Sequence, residues 1–190
     1  MKIHEALNIL GGRFIYMGES VDSLIKDLNI PSTANILDIG TGGGRMAVLL
    51  ALNGYNVLTG EPKGDDSKWA KRDWENNAEK VGVGDQISFR HFNAEDMPFE
   101  TGKFEAVFCF GSFHHIANKT KMLQECLRVI KENGLICIIE PASHIIQGIQ
   151  NDHPTHPEGA DPRKFSKNMA VNIEYFSKEN IDAYILRPHQ

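Results

Sequence analysis

The sequence predicts an α/β fold: a doubly wound, mostly parallel sheet with helices on both faces, closed by a C-terminal antiparallel hairpin. Three observations carry this prediction. Apolar runs alternate with segments of helical period from about residue 35 to residue 140. Some runs, "FEAVFCFGSF" most plainly, are apolar at nearly every position, as strands covered on both faces must be. The last two runs, "NIEYFS" and "IDAYILRP", lie only a few residues apart, which fits a hairpin and not a crossover.

In chain order, residues 3–10 read as a short helix, broken by Gly11 and Gly12. Ser20 caps a second helix over residues 21–29, with Val21, Leu24, Ile25 and Leu28 on one face, and Pro31 ends it. "NILDIG" is the first strand and "RMAVLLALNG" a helix that stops near Gly54. "YNVLTG" is the second strand. "DDSKWAKRDWENNAEKVG" reads as one polar helix carrying Trp69 and Trp74, with acids and a serine at its start. "ISFRHF" and "FEAVFCFGSF" are the third and fourth strands. "KTKMLQECLRVIKENG" places Met122, Leu123, Cys126, Leu127 and Ile130 at helical spacing, with Gly134 as its stop. "LICIIEP" is the fifth strand. A stretch rich in Pro, His and Asn follows, with a short helix around 143–150, before the hairpin.

Length and composition narrow the function. The 190 residues suffice for one domain with one good core. The net charge of −5 argues against a nucleic-acid partner, which calls for a basic face. Two local basic groups, Lys68, Lys71 and Arg72, then Arg163, Lys164 and Lys167, are short and mixed with acids, and read as solvated surface. Cys109, Cys126 and Cys137 lie in apolar segments without CxxC spacing, so they read as buried thiols. The start has no signal-peptide pattern, and no run approaches the ~20 apolar residues that span a bilayer. A cytoplasmic location without membrane association is the expectation. The sequence leaves the oligomeric state open.

Four glycines, Gly40, Gly42, Gly43 and Gly44, end the first strand. At such a junction the next helix presents unpaired amides and its positive dipole end, and glycines let a ligand approach the backbone. A phosphate-binding P-loop is set aside because no Lys-Ser/Thr pair follows. The dinucleotide fingerprint GxGxxG fails at its third glycine, where Arg45 stands. The spacing is GxGxG, with Asp38 just ahead. Glu61, ending the second strand, can accept two hydrogen bonds from a ribose diol. Both NAD and S-adenosylmethionine carry one, so Glu61 does not separate them.

The next stretch does. Asp38 with the glycines, the acid ending the second strand, "NAEDMPF" leading through "GKFEAVF", and then "MLQECLRVIKENGLICIIEP" together resemble the class I S-adenosylmethionine-dependent methyltransferases. The likeness is to the small-molecule, ubiquinone/menaquinone-biosynthesis-like group and covers about residues 34–141. It implies a Rossmann-like fold and S-adenosyl-L-methionine as cofactor. It also divides a single domain, 1–190, into a helical cover (1–33), a cofactor-binding core (34–141), a substrate-side loop or lid (142–170) and a closing hairpin (171–190).

The resemblance further implies roles. Asp38 and the backbone of Gly40, Thr41, Gly42 and Gly44 hold the methionine part of the cofactor. Glu61 takes the ribose hydroxyls and Pro62 lies beside the adenine. Ala94 and Glu95 meet the adenine edge, and Asn93 shapes their loop. Phe110, Gly111 and Ser112 border the transferred methyl. Two features depart from the family pattern: "TGEPKGDD" lacks the usual hydrophobic residue after the acid, and the N-terminal part matches only as a helical cover. Arg13 and Tyr16 are read there as surface or packing residues in preference to ligands of the cofactor's carboxylate.

Methyl transfer is an in-line displacement at a sulfonium, for which the protein supplies alignment above all. A base is needed only when the acceptor is poorly nucleophilic or protonated. His114 and His115, just past the fourth strand, are the candidates, either as that base or as passive pocket lining; the second is preferred, since the pair is common in the family across unlike substrates. His144, His153 and His156, with Asp152 and Asp161, fit no helical or finger-type ligand spacing, so no metal is expected. The predicted function is methyl transfer to a small-molecule acceptor. The alternatives are a non-catalytic cofactor-binding or partner subunit of the same fold and, behind it, an NAD(P)-dependent oxidoreductase, disfavoured by Arg45 and the lack of a Tyr-x-x-x-Lys pair.

Overall fold

The structure is a computed structural model that describes residues 1–67, Ala70 and 72–189. Lys68 and Lys71, assigned to a basic group, and Trp69, assigned to a helix, lie outside the described residues. Seven strands form one sheet: β1 Asn35–Ile39, β2 Asn56–Gly60, β3 Ile87–Phe89, β4 Phe104–Phe110, β5 Ile130–Pro141, β6 Val171–Lys178 and β7 Ile181–Pro188. Their order is β3-β2-β1-β4-β5-β7-β6. The first five strands pair in parallel; β7 pairs antiparallel with both β5 and β6. This is the predicted doubly wound sheet with its closing hairpin.

Alternation along the strands sorts side chains into two cores. Ile36, Ala106, Phe108, Cys137 and Ile139 face one side. There they meet α1 (Ile3–Leu10), α2 (Gly18–Asp27), α3 (Arg45–Leu52) and α4 (Trp74–Val81). Leu37, Val107, Cys109, Ile136 and Ile138 face the other, against Met122, Leu123 and Cys126 of α5 (Lys119–Val129). The neighbours in each group differ by two positions, the period of a strand. A last helix, α6 (Ser143–Asp152), begins where the short helix was expected. No helix among the described residues is long and apolar enough to cross a membrane.

Three helix limits differ from the sequence reading, each for its own physical reason. Helix α2 starts at Gly18 and not at residue 21, and Ser20 is no cap, because the chain enters from Met17 without a side-chain cap. At Gly18 a Cβ would lie 2.0 Å from Leu7 Cδ2, so glycine lets α1 and α2 meet there. Helix α4 starts only at Trp74, where the Asp73 carboxylate accepts the Asn76 amide at 3.0 Å. Helix α5 stops at Val129 instead of Gly134, because Ile130 already pairs with Phe104. The ladder resumes at Ala106 and Leu135, so the chain between Ile130 and Leu135 forms an irregularity in β5.

Candidate functional site

Strand order reverses at β1, which has β2 on one side and β4 on the other. Chains leaving such neighbours go opposite ways, and ligands of open α/β sheets bind in the crevice so formed. A cavity of about 550 Å³ lies here. It is lined by the turn after β1, the ends of β2 and β4, and the loops carrying Asn93 and His115, with Arg13, Met17, His153 and His156 closing it.

The turn after β1 is built by glycines in conformations that other residues resist. Gly40 has φ +87°, and a Cβ there would lie 2.2 Å from Ser112 Oγ. Its bareness lets the β1 and β4 ends approach each other. The Gly42 amide donates to Glu61 Oε1 at 2.6 Å, joining the turn to the end of β2. Burial raises the Glu61 carboxyl above its usual range; the Gly42 bond works the other way.

Asp38 stands apart from the other residues expected to hold the cofactor. It is fully buried in β1 and absent from the cavity wall. Its Oδ2 accepts the Thr59 hydroxyl at 2.8 Å, and Thr59 and Thr41 share a hydroxyl pair at 2.9 Å. The chain Asp38–Thr59–Thr41 thus ties β1, β2 and the turn together beneath the cavity. Oδ1 of Asp38 has no partner among the described residues. Burial pushes this carboxyl up to about 8.

Most other predicted residues converge. Gly40, Thr41, Gly42, Glu61, Pro62, Asn93, Ala94, Glu95, Phe110, Gly111 and Ser112 all line the cavity. Gly44 does not; it sits behind the turn as the residue preceding α3, with φ +74°. Asn93 shapes its loop by accepting the Glu95 amide at 2.9 Å. The Glu95 carboxylate is held by the Asn118 amide at 2.8 Å, at the start of α5.

Arg45 and Arg72 enter the cavity as well, and sequence reasoning missed both as site residues. In the sequence Arg45 stands out only as a mismatch to the third dinucleotide glycine. Its guanidinium donates to the Gly11 carbonyl at 3.2 Å and lies over the Phe14 ring. Burial, then the nearby Arg72, lowers it to about 10. Arg13 turns to α6, donating to Asp152 at 2.7 Å and to the Gly148 carbonyl at 2.8 Å. Tyr16 is exposed.

The histidines are regrouped by the fold. His114 is buried, its Nδ1 2.6 Å from Glu140 Oε2. Glu140, equally buried, also takes the Ala160 amide at 3.3 Å. His115 is exposed at the cavity rim, and partial desolvation of its ring, followed by its neighbours His114 and His156, lowers it to about 4. Its imidazole is therefore neutral at neutral pH and a weak proton acceptor. His156 packs against both, with ring centroids 5.0 Å from each. His144 goes elsewhere, 3.2 Å from Asn180 Oδ1. No spacing rule links His156 to residues 114 and 115; the return of the chain after α6 brings it there.

This geometry has counterparts. Residues 37–138, more than half of the chain, match a family described as methyltransferase domain. The chain belongs to that methyltransferase family. Among its relatives is a demethylmenaquinone methyltransferase of Clavibacter sepedonicus, 26% identical over 151 residues, covering 78% of this chain and 58% of that protein. Another is a ubiquinone biosynthesis O-methyltransferase of Rickettsia prowazekii, 30% identical over 127 residues, covering 66% of this chain and 46% of that one. The chain thus spans about half the length of these relatives. Among solved structures, the PH0226 protein of Pyrococcus horikoshii OT3 superposes with a TM-score of 0.73 at 15% identity, over 95% of this chain and 93% of that one. At that identity the likeness is one of fold, and the fold is that of this methyltransferase family's Rossmann-like sheet.

Proposed function

We propose that this chain transfers a methyl group from S-adenosylmethionine to a small-molecule acceptor. The observation that carries the reading is the convergence of the glycine turn, Glu61 and the Asn93–Glu95 loop on one cavity at the sheet's reversal point. The donor set fits the cofactor part by part. Glu61 supplies a half-buried carboxylate for a ribose diol. Ile39, Pro62, Phe92 and Ala94 supply apolar walls for a base. Arg45 supplies a cation for an amino-acid carboxylate. The volume is that of an ordinary small-ligand pocket.

When bound, the cofactor supplies an electrophilic methyl on a sulfonium. This chain's residues orient and enclose. Thr59, held by Asp38, fixes Thr41 and with it the turn. Phe110, Gly111 and Ser112 border the reacting region, where alignment and exclusion of water matter most. Asp38 acts from beneath, through Thr59, and not as a ligand. A small acceptor is supported by the net charge of −5, and by the names of the relatives that methylate demethylmenaquinone or act in ubiquinone biosynthesis. The buried free thiols Cys109, Cys126 and Cys137 support a reducing, cytoplasmic setting.

Calorimetry with S-adenosylmethionine, its demethylated product and NAD tests this reading. The first two are expected to bind and NAD is not. Failure of both to bind overturns it. Binding without methyl transfer to any component of a metabolite extract would make the chain a cofactor-binding subunit instead.

A further inference from the structure

The methyl-transfer reading leaves the histidine trio without a purpose. One ring nitrogen from each of His114, His115 and His156 lies within 4.8 Å of the others. We propose that these three residues bind a zinc-class divalent ion, with Glu140 orienting His114 and the open coordination position turned into the cavity.

The strongest support is His114. Its ring is buried, and Nδ1 faces the buried Glu140 carboxylate at 2.6 Å. With the Nδ1 proton shared with Glu140, Nε2 is the basic nitrogen, and Nε2 has no partner among the described residues. A buried nitrogen is costly to leave unpaired, so one that persists calls for a reason. A carboxylate on one imidazole nitrogen and a metal on the other is the arrangement that orients metal-binding histidines and raises their basicity. The tilted His115 ring is 4.2 Å from that of His114, centre to centre. His156 approaches from the loop after α6, with Nδ1 2.9 Å from the Pro157 carbonyl. A proton on that Nδ1 again makes Nε2 the ligand.

The ligand set selects the ion. Imidazole nitrogens suit zinc and its transition-metal neighbours, whereas magnesium and calcium require oxygens. Tetrahedral zinc, with Zn–N bonds of about 2.0–2.1 Å, holds its nitrogens roughly 3.3 Å apart. Small rotations of the His115 and His156 rings, both more accessible than that of His114, close the remaining gap. Three protein ligands leave the fourth position open, as in zinc sites that do chemistry. All three histidines line the cavity, so that position faces it.

The consequence for substrate class rests on the methyl-transfer reading. An acceptor hydroxyl that ligates the ion releases its proton to solvent, because coordination lowers its pKa. The oxygen anion is then the nucleophile. The O–CH3 bond forms as the S–CH3 bond breaks, and the sulfonium leaves as a neutral thioether. The site therefore favours hydroxylated acceptors and needs no side-chain base.

The test uses the untagged, full chain, stripped with EDTA and dialysed. Zinc chloride is titrated by calorimetry, and cobalt(II) by its visible absorption. The expected result is one ion per chain, with the d–d bands of four-coordinate cobalt, displaced by zinc. Loss of an orienting carboxylate typically weakens metal binding about 10–100-fold, so Glu140→Gln is expected to fall in that range and His156→Ala beyond it. His144→Ala, outside the trio, leaves affinity unchanged. His114→Ala removes a buried side chain and risks the fold; His156→Ala, with far-UV circular dichroism as a check, keeps the test decisive. Absence of stoichiometric binding, or equal affinity in wild type and a His115→Ala/His156→Ala variant, overturns the proposal. S-adenosylmethionine binding, measured separately on the metal-free chain, distinguishes this failure from failure of the methyl-transfer reading.

Discussion

Glu61 Oε1 accepts the amide proton of Gly42 at 2.6 Å, so the acid that ends β2 is braced by the turn that ends β1. This contact holds the carboxylate at the cavity wall, with one oxygen engaged and the other available to a diol. Glu61→Gln keeps the size and an acceptor but loses the charge. A hydrogen bond to a charged group is worth about 1.5–3 kcal/mol. Glu61→Gln is therefore expected to weaken S-adenosylmethionine binding by about 10–100-fold in calorimetry, while the melting temperature changes little.

Gly40 and Ser112 make a second pair whose closeness is testable. An alanine at 40 meets two obstacles, the positive φ and Ser112 Oγ at 2.2 Å. The left-handed conformation alone costs an L-residue about 1–2 kcal/mol. Gly40→Ala is expected to lower the melting temperature by several degrees and to abolish measurable cofactor binding. Ser112→Gly in the same chain removes the steric obstacle and leaves the φ penalty. Partial recovery of stability in the double variant checks the assignment; no recovery would locate the whole cost in the backbone.

Asp38 makes stability depend on pH in an unusual direction. Its folded carboxyl is raised from 3.8 to about 8. A raised group holds its proton more tightly when folded, so its contribution is fully present below about pH 4 and is lost as pH rises through about 8. Across that window the slope is about −1.4 kcal/mol per pH unit at most. Asp38→Asn is neutral throughout and can still accept the Thr59 hydroxyl. Thermal melts between pH 5 and 9 should show the variant gaining on wild type as pH rises. Parallel curves would mean that Asp38 is not the titrating group.

The Asp38 result also shows which parts of the site were legible in the sequence. The glycine turn, Glu61 and "NAEDMPF" each mark a strand end, and strand ends follow from apolar runs that stand out in the chain. Their convergence then follows from parallel topology. Asp38 lies one step earlier, inside β1, and in a fully covered strand a polar residue faces protein and not the crevice. The end of α5 differs because a tertiary contact outranks a local signal. Gly134 has the chemistry of a helix stop, but the pairing of Ile130 with Phe104 ends α5 first. The approach of His156 to His114 has no local signature, because α6 separates it from β5 and only the folded path closes the distance.

Arg45 carries the last prediction. It stands where a dinucleotide-binding turn would have glycine, and the structure turns that mismatch into a cavity-facing cation. Burial and Arg72 both make its charge expensive, lowering it to about 10, yet it remains ionised at neutral pH. The Gly11 carbonyl and the Phe14 face offset part of that cost. A ligand carboxylate would offset the rest, and S-adenosylmethionine brings one whereas methylthioadenosine does not. Arg45→Met keeps much of the packing and removes the charge. At about 1.5–3 kcal/mol for a charge-assisted bond, affinity for S-adenosylmethionine should fall about 10–100-fold. Methylthioadenosine should bind wild type and variant alike, because it never engages the guanidinium. Equal losses for the two ligands would mean that Arg45 only packs the N-terminal turn against α3, and the carboxylate would then have to be sought at another residue of the wall.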